Sequence, residues 1–173
     1  MRPVRVLCGL LAMAVLALAL SARPGEASSS YERVDYPGAY ELGTIVIHTS
    51  ERRLYYLLGD GTALAYRVAV GRPSEQWFGE SWVSDKKENP GWSPTPSMRR
   101  SNPGLPAFVP PGPRNPLGVR AIYLGWGSYR IHGTNSPNSI GRAASSGCFR
   151  MLNKDVSDLY ERVHIGAPVF VRR

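Results

Sequence analysis

Clusters of β-branched and aromatic residues predict three β-strands before residue 72. The stretches "GTIVIHTS" (43–50) and "RRLYYLL" (52–58) carry this pattern, and "GDG" (59–61) follows them as a hairpin signal. A further apolar stretch that ends at Gly71 supplies the third strand. Because consecutive strands joined by short turns usually pair with each other, this region predicts an antiparallel meander.

The last third of the chain predicts more strands and one helix. "VRAIYLG" (119–125) and "GSYRIHG" (127–133) resemble two strands of a hairpin, whereas "SSGCFRM" (145–151) and the closing "APVFVRR" resemble single short strands. Residues 153–163 carry apolar residues at helical spacing, and Asn153 is the candidate N-cap.

Residues 72–118 hold most of the fifteen prolines of the chain. Since proline lacks a backbone donor and fixes φ, we expect no long helix and no central strand there. Disordered segments are poor in aromatic residues, so the aromatic and apolar residues here favour an ordered, irregular excursion that packs on the sheet and walls a substrate groove. These residues are Trp77, Phe78, Trp82, Trp92, Met98 and Phe108.

The pattern therefore predicts a mostly β fold with a single domain and one short helix. The domain covers residues 43–172 and follows a short lead-in at 28–42. Residues 1–27 resemble a signal peptide, with basic residues before the apolar run of fifteen residues from Val6 to Leu20. This run is shorter than the roughly 20 residues that a spanning helix needs, although a retained anchor is the alternative. We expect export to the periplasm or cell envelope and no membrane span in the mature chain.

The net charge of the chain and the distribution of its basic residues indicate which classes of partner to expect. Removal of residues 1–27 takes away three Arg and one Glu, so 18 basic and 12 acidic residues remain and the net charge falls from +8 to +6. The basic residues are scattered and an exported protein seldom meets nucleic acid, so we expect no nucleic-acid partner. A solvated surface is the first interpretation, and weak attraction to an anionic envelope polymer is the second.

Cysteine usage points to chemistry. Cys8 lies inside the apolar run and leaves with the signal, so Cys148 remains as an unpaired thiol. An odd cysteine in an exported chain indicates either an intermolecular disulfide or a reactive thiol. The alternative is that Cys148 is a small, buried hydrophobic residue.

His132 is the candidate base that activates this thiol. His132 ends a predicted strand beside Gly133, and an imidazole near Cys148 would take its proton. Gly147 permits close approach of a substrate carbonyl, and backbone N–H groups around residues 147 and 148 are candidate oxyanion donors. No acidic residue lies between His132 and Cys148, so the group that orients the imidazole is either the Gly133 carbonyl or the Asn135 amide.

Other residues near the thiol have two interpretations. Arg150 is either a surface charge or the partner of a substrate carboxylate. His48, His132, His164 and Cys148 do not have the spacing of zinc ligands, so we expect no metal and no cofactor.

The stretch "IHGTNSPNSIGRAASSGCFRM" resembles the signature of the L,D-transpeptidase catalytic domain, the YkuD-type family. The similarity extends upstream to "TIVIHTSERRLYYLLGDGTALAYRVAVGRP" and downstream to "IGAPVFV", and so covers roughly residues 43–172. The positions that agree with the signature are His132, Gly133, Thr134, Asn135, Gly141, Ser145, Gly147, Cys148, Arg150 and Met151. Ser146 departs from it, because the family most often has histidine there.

This resemblance implies a β-sandwich or barrel, and a transpeptidase that forms a thioester with peptidoglycan stem peptides and releases D-Ala. Cys148, His132 and Gly133 would be catalytic, and the substrate would contact Asn135, Ser145, Ser146, Gly147 and Arg150. An amine then resolves the thioester, giving a 3→3 cross-link, D-amino-acid exchange or attachment of an envelope protein. The resemblance also implies acylation by carbapenem-type inhibitors, and we expect a monomer. The alternatives are a carboxypeptidase or endopeptidase of the same peptides and a non-catalytic peptidoglycan-binding domain.

Overall fold

A computed structural model describes residues 31–173 of the 173-residue chain, and the predicted signal peptide lies outside them. The fold is mostly β. Its strands are β1 (Glu32–Asp35), β2 (Ile45–His48), β3 (Arg53–Leu57), β4 (Thr62–Arg67), β5 (Val70–Gly71), β6 (Gly79–Glu88), β7 (Arg120–Leu124), β8 (Arg130–His132), β9 (Ala143–Ser145), β10 (Phe149–Arg150) and β11 (Pro168–Arg172). The helices are α1 (Pro96–Ser101) and α2 (Asn153–Arg162), with short 3₁₀ turns at Pro73–Glu75 and Pro137–Ser139. Within residues 31–173, no helix is long and apolar enough to cross a membrane.

Nine strands form one sheet in the order β1-β4-β3-β2-β11-β6-β7-β8-β10, while β5 and β9 pair separately. The predicted meander is confirmed, since β2 pairs with β3 and β3 with β4, both antiparallel. The predicted β7–β8 hairpin is confirmed as well. The closing strand β11 joins the two halves of the sheet, because it lies parallel to β2 and antiparallel to β6.

The core lies between the sheet and helix α2. Alternation along β3 shows how the sequence builds it: Leu54 and Tyr56 are buried in the main cluster, and Tyr55 packs in a small second cluster on the other face. From α2, Val156 and Leu159 enter the main cluster. At about 25 cal/mol per Å² of buried apolar surface, such a core is the main source of stability.

The expectation of no central strand among the prolines is wrong for residues 79–88. Strand β6 occupies this stretch and lies between β11 and β7 in the middle of the sheet. The stretch itself contains no proline, so every residue can donate to the sheet, and its neighbours Pro73 and Pro90 lie outside it. The prolines of residues 72–118 therefore flank a proline-free strand rather than exclude one.

Two smaller elements also differ from expectation. The lead-in contains β1, which pairs antiparallel with β4. The proline-rich excursion contains a second helix, α1, where Pro96 occupies the first turn and Thr95 Oγ1 accepts the Met98 N–H at 3.2 Å. Both features are locally favourable for a helix start, and the excursion is ordered, as its aromatic residues predicted.

Helix α2 is confirmed, but its predicted cap is not. Leu152 occupies the N-cap position, and Asn153 is the first helical residue. The Asn153 side chain instead accepts the backbone N–H of Thr134 at 3.0 Å. Asn153 therefore fixes the loop that follows His132 to the start of α2.

Candidate active site

The pairing of β8 with β10 brings the predicted histidine and cysteine to one side of the sheet. The two strands are parallel, and Phe149 lies opposite Ile131 and Arg150 opposite His132. Phe149 and Ile131 are both buried in the main core. Because side chains alternate along a strand, the flanking residues His132, Arg150 and Cys148 occupy the other face.

The turn before β10 is held by Ser145. Its hydroxyl donates to the Cys148 carbonyl at 2.5 Å and accepts the Gly147 N–H at 3.2 Å. Ser145 is only 1% exposed, so both hydrogen bonds are protected from water. The Gly147 N–H, one of the predicted oxyanion donors, is therefore already engaged.

Gly147 is needed for its backbone and for its lack of a side chain. Its φ of +100° lies in the region that L-residues avoid. A Cβ at this position would also lie 2.5 Å from Tyr129 Cε1 and 3.1 Å from the Glu75 carbonyl oxygen. The turn that presents Cys148 accordingly packs against two other segments without room for a methyl group.

Trp77 forms the floor under this turn. Its indole N–H donates to the Gly147 carbonyl at 3.0 Å, and its ring stacks on Tyr129 with centroids 4.8 Å apart. Trp77 comes from the proline-rich excursion, which therefore contacts the predicted site. Sequence reasoning placed this aromatic residue in a groove wall but gave it no role at the turn that carries Cys148.

His132 is buried, with 4% of its surface exposed, and its Nδ1 lies 2.6 Å from the Gly133 carbonyl oxygen. A carbonyl only accepts, so Nδ1 carries the proton and Nε2 is the free basic nitrogen. Burial, followed by the charges of Arg150 and Arg130, lowers the pKa of His132 to about 3, although the Gly133 hydrogen bond works in the opposite direction. The imidazole is therefore neutral near pH 7.

Of the two candidates for orienting the imidazole, the Gly133 carbonyl makes the contact. Asn135 lies elsewhere: its amide donates to the Arg114 carbonyl at 2.9 Å, and its carbonyl accepts the Ser136 hydroxyl at 3.3 Å. Asn135 thus ties the loop after β8 to the proline-rich excursion. The structure does not bring its side chain to the imidazole.

Cys148 is half-buried and unpaired, and its Sγ lies 3.7 Å from the Ser128 carbonyl oxygen. Burial raises the pKa of the Cys148 thiol above its ordinary value. The charge and hydrogen bonds of Arg130, together with the charge of Arg150, act in the opposite direction and favour the thiolate. Two cations thus face the sulfur.

Arg150 carries an uncompensated charge beside the thiol. No carboxylate of residues 31–173 lies within ion-pair distance of its guanidinium. Burial, and then the charge of Arg72, lower the pKa of Arg150, while the Cys148 thiolate would raise it. A half-buried cation without a protein carboxylate suits an anionic ligand.

Ser146 faces a small cavity beside the turn. Its hydroxyl accepts from Arg72 Nη2 at 3.0 Å, and the same nitrogen lies 3.7 Å from Glu75 Oε1. These residues line a cavity of about 250 Å³ together with residues of α1 and its flanking loops, including Thr95, Ser97 and Met98. The residue that departs from the family signature is therefore part of a polar cavity wall.

The main residue that sequence reasoning missed is Arg130. It lies two positions before His132 on β8, so strand alternation places both side chains on the same face. That alternation was the available signal.

No group of three or more His, Cys, Asp or Glu within residues 31–173 is arranged to hold a metal ion.

Residues 43–171 match the family model of the YkuD L,D-transpeptidase catalytic domain. The chain is 41% identical over 133 residues to the probable L,D-transpeptidase ErfK/SrfK of Escherichia coli strain K12, which covers 72% of this chain and 42% of that protein. It is 32% identical over 130 residues to the putative L,D-transpeptidase YkuD of Bacillus subtilis strain 168, covering 75% of this chain and 65% of that one. The chain thus spans less than half the length of the first of these relatives.

Solved structures share the fold. L,D-transpeptidase 3 of Mycobacterium tuberculosis, crystallised with a faropenem-derived adduct, superposes with a TM-score of 0.59 at 18% identity, over 75% of this chain and 60% of that chain. The catalytic domain of the Enterococcus faecium L,D-transpeptidase gives a TM-score of 0.58 at 22% identity, over 78% of this chain and 99% of that domain. The predicted fold class is confirmed by this architecture.

Proposed function

Because the chain belongs to the YkuD L,D-transpeptidase family, we propose that it is a cysteine acyltransferase that acts on peptidoglycan stem peptides. The observation that carries this proposal is the position of Cys148 on the same face as His132, whose Nδ1 is fixed by the Gly133 carbonyl. A thiol, a neutral imidazole with a free nitrogen and an orienting acceptor are the parts that acyl transfer requires.

In the first step, Cys148 Sγ attacks the carbonyl that joins meso-diaminopimelate to the terminal D-Ala. The thiol proton passes to His132 Nε2, and the Sγ–C bond forms as the carbonyl becomes an oxyanion. The Cys148 N–H is our candidate oxyanion donor, because the Gly147 N–H already bonds to Ser145. Collapse breaks the C–N bond, and the D-Ala nitrogen leaves with the proton from His132.

In the second step, an acceptor amine attacks the thioester. His132 takes a proton from the amine as the new C–N bond forms, the C–S bond breaks, and His132 returns the proton to the departing sulfur. The product is a 3→3 cross-link, an exchanged D-amino acid or an attached envelope protein. With water as acceptor, the same residues would give a carboxypeptidase, which is the second candidate.

The substrate is rich in carboxylates, and Arg150 is the cation that we assign to one of them. Its guanidinium has no carboxylate partner within residues 31–173 and lies near the thiol. Arg150→Ala should therefore raise KM for the peptide while the domain remains folded. Ser145 and Gly147 shape the turn, and Ser146 borders the adjacent cavity.

We further propose export, action in the periplasm or cell envelope as a monomer, and acylation of Cys148 by carbapenem-type inhibitors. The adduct in the M. tuberculosis relative supports the last point, because faropenem is a penem and shares the strained β-lactam ring with the carbapenems. The basic net charge of the mature chain supports work beside an anionic polymer.

The test is intact-mass spectrometry of residues 28–173 during incubation with a disaccharide-tetrapeptide, with Cys148→Ala as the control. We expect an adduct equal to the muropeptide minus D-Ala on Cys148, absent from the variant. A dimer product identifies the transferase, whereas a trimmed tripeptide identifies the hydrolase. Folded protein with a free thiol that gives neither adduct nor product contradicts both and leaves a binding domain.

A further inference from the structure

Arg130 and the nucleophile share one backbone carbonyl. Arg130 Nη1 donates to the Ser128 oxygen at 2.8 Å, and Cys148 Sγ lies 3.7 Å from the same oxygen. The guanidinium and the sulfur are therefore neighbours on either side of one acceptor. This contact is independent of strand register, which separately places both residues on the same face.

The Arg130 charge has no carboxylate partner in the part of the chain that the structure describes. Among the ion pairs of residues 31–173, none includes Arg130. Its Nε is buried and has no hydrogen-bond acceptor among the described residues, and the guanidinium lies 4.9 Å from the centroid of the Tyr123 ring. A buried donor without an acceptor is unfavourable, so this arrangement indicates a compensating role.

The imidazole does not supply the missing positive charge. Burial, and then the charges of Arg150 and Arg130, lower the pKa of His132 and disfavour a second proton on its ring. A preformed thiolate–imidazolium pair is therefore unfavourable in this site. A thiolate at Cys148 needs a different cation.

We propose that Arg130 is a further catalytic residue, whose guanidinium stabilises the Cys148 thiolate while the Ser128 carbonyl holds both groups in place. Ionisation in the absence of substrate breaks the S–H bond and releases the proton to solvent, and the sulfur then accepts a hydrogen bond from Arg130. Both the backbone and the side chain of Arg130 favour the ionised sulfur. This inference adds a residue to the proposed function but does not depend on the substrate.

Charged groups other than Arg130 also surround the Cys148 sulfur, and the experiment must separate their effects from that of Arg130. Strand alternation places Arg130 and His132 of β8 and Arg150 of β10 on the face of the sulfur. Arg72, which precedes the 3₁₀ turn Pro73–Glu75, acts on Arg150. Glu75 contacts the turn through its backbone and pairs with Arg72 through its side chain. Arg130 differs from the other two arginines because it shares a backbone acceptor with the thiol.

The experiment measures the rate of iodoacetamide labelling of Cys148 from pH 6 to 10 in residues 28–173. Arg130→Gln should move the midpoint upward by about one pH unit and slow labelling at pH 7 about tenfold. Arg130→Lys should give a smaller shift, because lysine keeps the charge but does not bridge Ser128 and the sulfur as a fork. Arg53→Gln is the matched control. It removes a cation of β3 that pairs with Glu32 of β1, and it should leave the midpoint unchanged.

Thermal melting establishes that each variant is folded before its midpoint is interpreted. If Arg130→Gln does not fold, the lysine variant decides, since an unchanged midpoint in either folded variant overturns the proposal. Labelling needs no peptidoglycan, so a shifted midpoint with no muropeptide adduct would retain this inference and reject the proposed function. A muropeptide adduct together with unshifted labelling midpoints would retain the proposed function and reject this inference.

Discussion

The indole of Trp77 donates its N–H to the carbonyl of Gly147 at 3.0 Å, although 70 positions separate the two residues in the chain. This bond fastens the turn that carries Cys148 to the segment that enters β6. Stacking of Trp77 on Tyr129 adds a second attachment near the end of β7 and start of β8. The position of Cys148 thus depends on three segments that are distant in sequence.

Trp77→Phe removes this hydrogen bond but keeps an aromatic ring on Tyr129. We expect the free energy of unfolding to fall by about 1 to 3 kcal/mol, because the buried Gly147 carbonyl loses its donor. Urea titration measures the change, and iodoacetamide labelling reports on the thiol. Trp126→Phe is the control, since it removes a more exposed bond to the Glu80 carbonyl and should cost less. Equal losses in the two variants would argue against a special role for Trp77.

Gly147→Ala should destabilise the domain more than any other substitution considered for the turn. The alanine would suffer strain at φ +100° and a contact of 2.5 Å with Tyr129. Gly166→Ala isolates the first effect, because Gly166 has φ +94° and no atom lies within 4 Å of the point that its Cβ would occupy. We expect about 1 kcal/mol for Gly166→Ala and at least about twice that for Gly147→Ala, measured by urea titration. Similar losses would mean that Tyr129 moves aside freely.

His132 should make stability depend on pH in one direction. Its folded pKa is about 3 and its unfolded value is about 6.5, so the unfolded state binds more protons between these values. The contribution of His132 to the free energy of unfolding is fully present above pH 6.5 and is lost as the pH falls toward 3. The free energy of unfolding should decrease by up to about 1.4 kcal/mol per pH unit in this window.

Urea titrations between about pH 4.5 and 7.5 measure this slope in the wild type and in His132→Gln. The variant keeps His48 and His164, so the difference between the two slopes belongs to residue 132. Parallel slopes would show that His132 has the same pKa in the folded and unfolded states, and would contradict the lowered folded value.

Ser145→Ala should destabilise the turn that carries Cys148. It removes two protected hydrogen bonds, one to the Cys148 carbonyl and one from the Gly147 N–H. We expect a loss of about 1 to 3 kcal/mol in unfolding free energy and slower acylation by a carbapenem, followed by intact mass. Ser146→Ala removes only an exposed bond to Arg72 and should leave stability within about 0.5 kcal/mol of wild type. Equal effects of the two alanines would contradict the assignment of Ser145.

Local sequence patterns were sufficient to predict most individual elements of this fold. The meander β2–β4, the β7–β8 hairpin and helix α2 follow from apolar periodicity and turn residues, because these features depend on neighbours in the chain. The motif around His132 and Cys148 also identified the family from residue types and spacing. Strand β6 was hidden because prolines on both sides of it dominate the composition of residues 72–118.

The assembly of these elements around the thiol depends on tertiary packing. Register between β8 and β10 places Arg130 beside Cys148, and the excursion delivers Trp77 to Gly147. Packing also directs the Asn153 side chain to Thr134 instead of a helix cap, and the imidazole to Gly133 instead of Asn135. A hydrogen-bond partner is selected by which groups are buried together, and burial depends on the packing of distant segments, which no local pattern encodes.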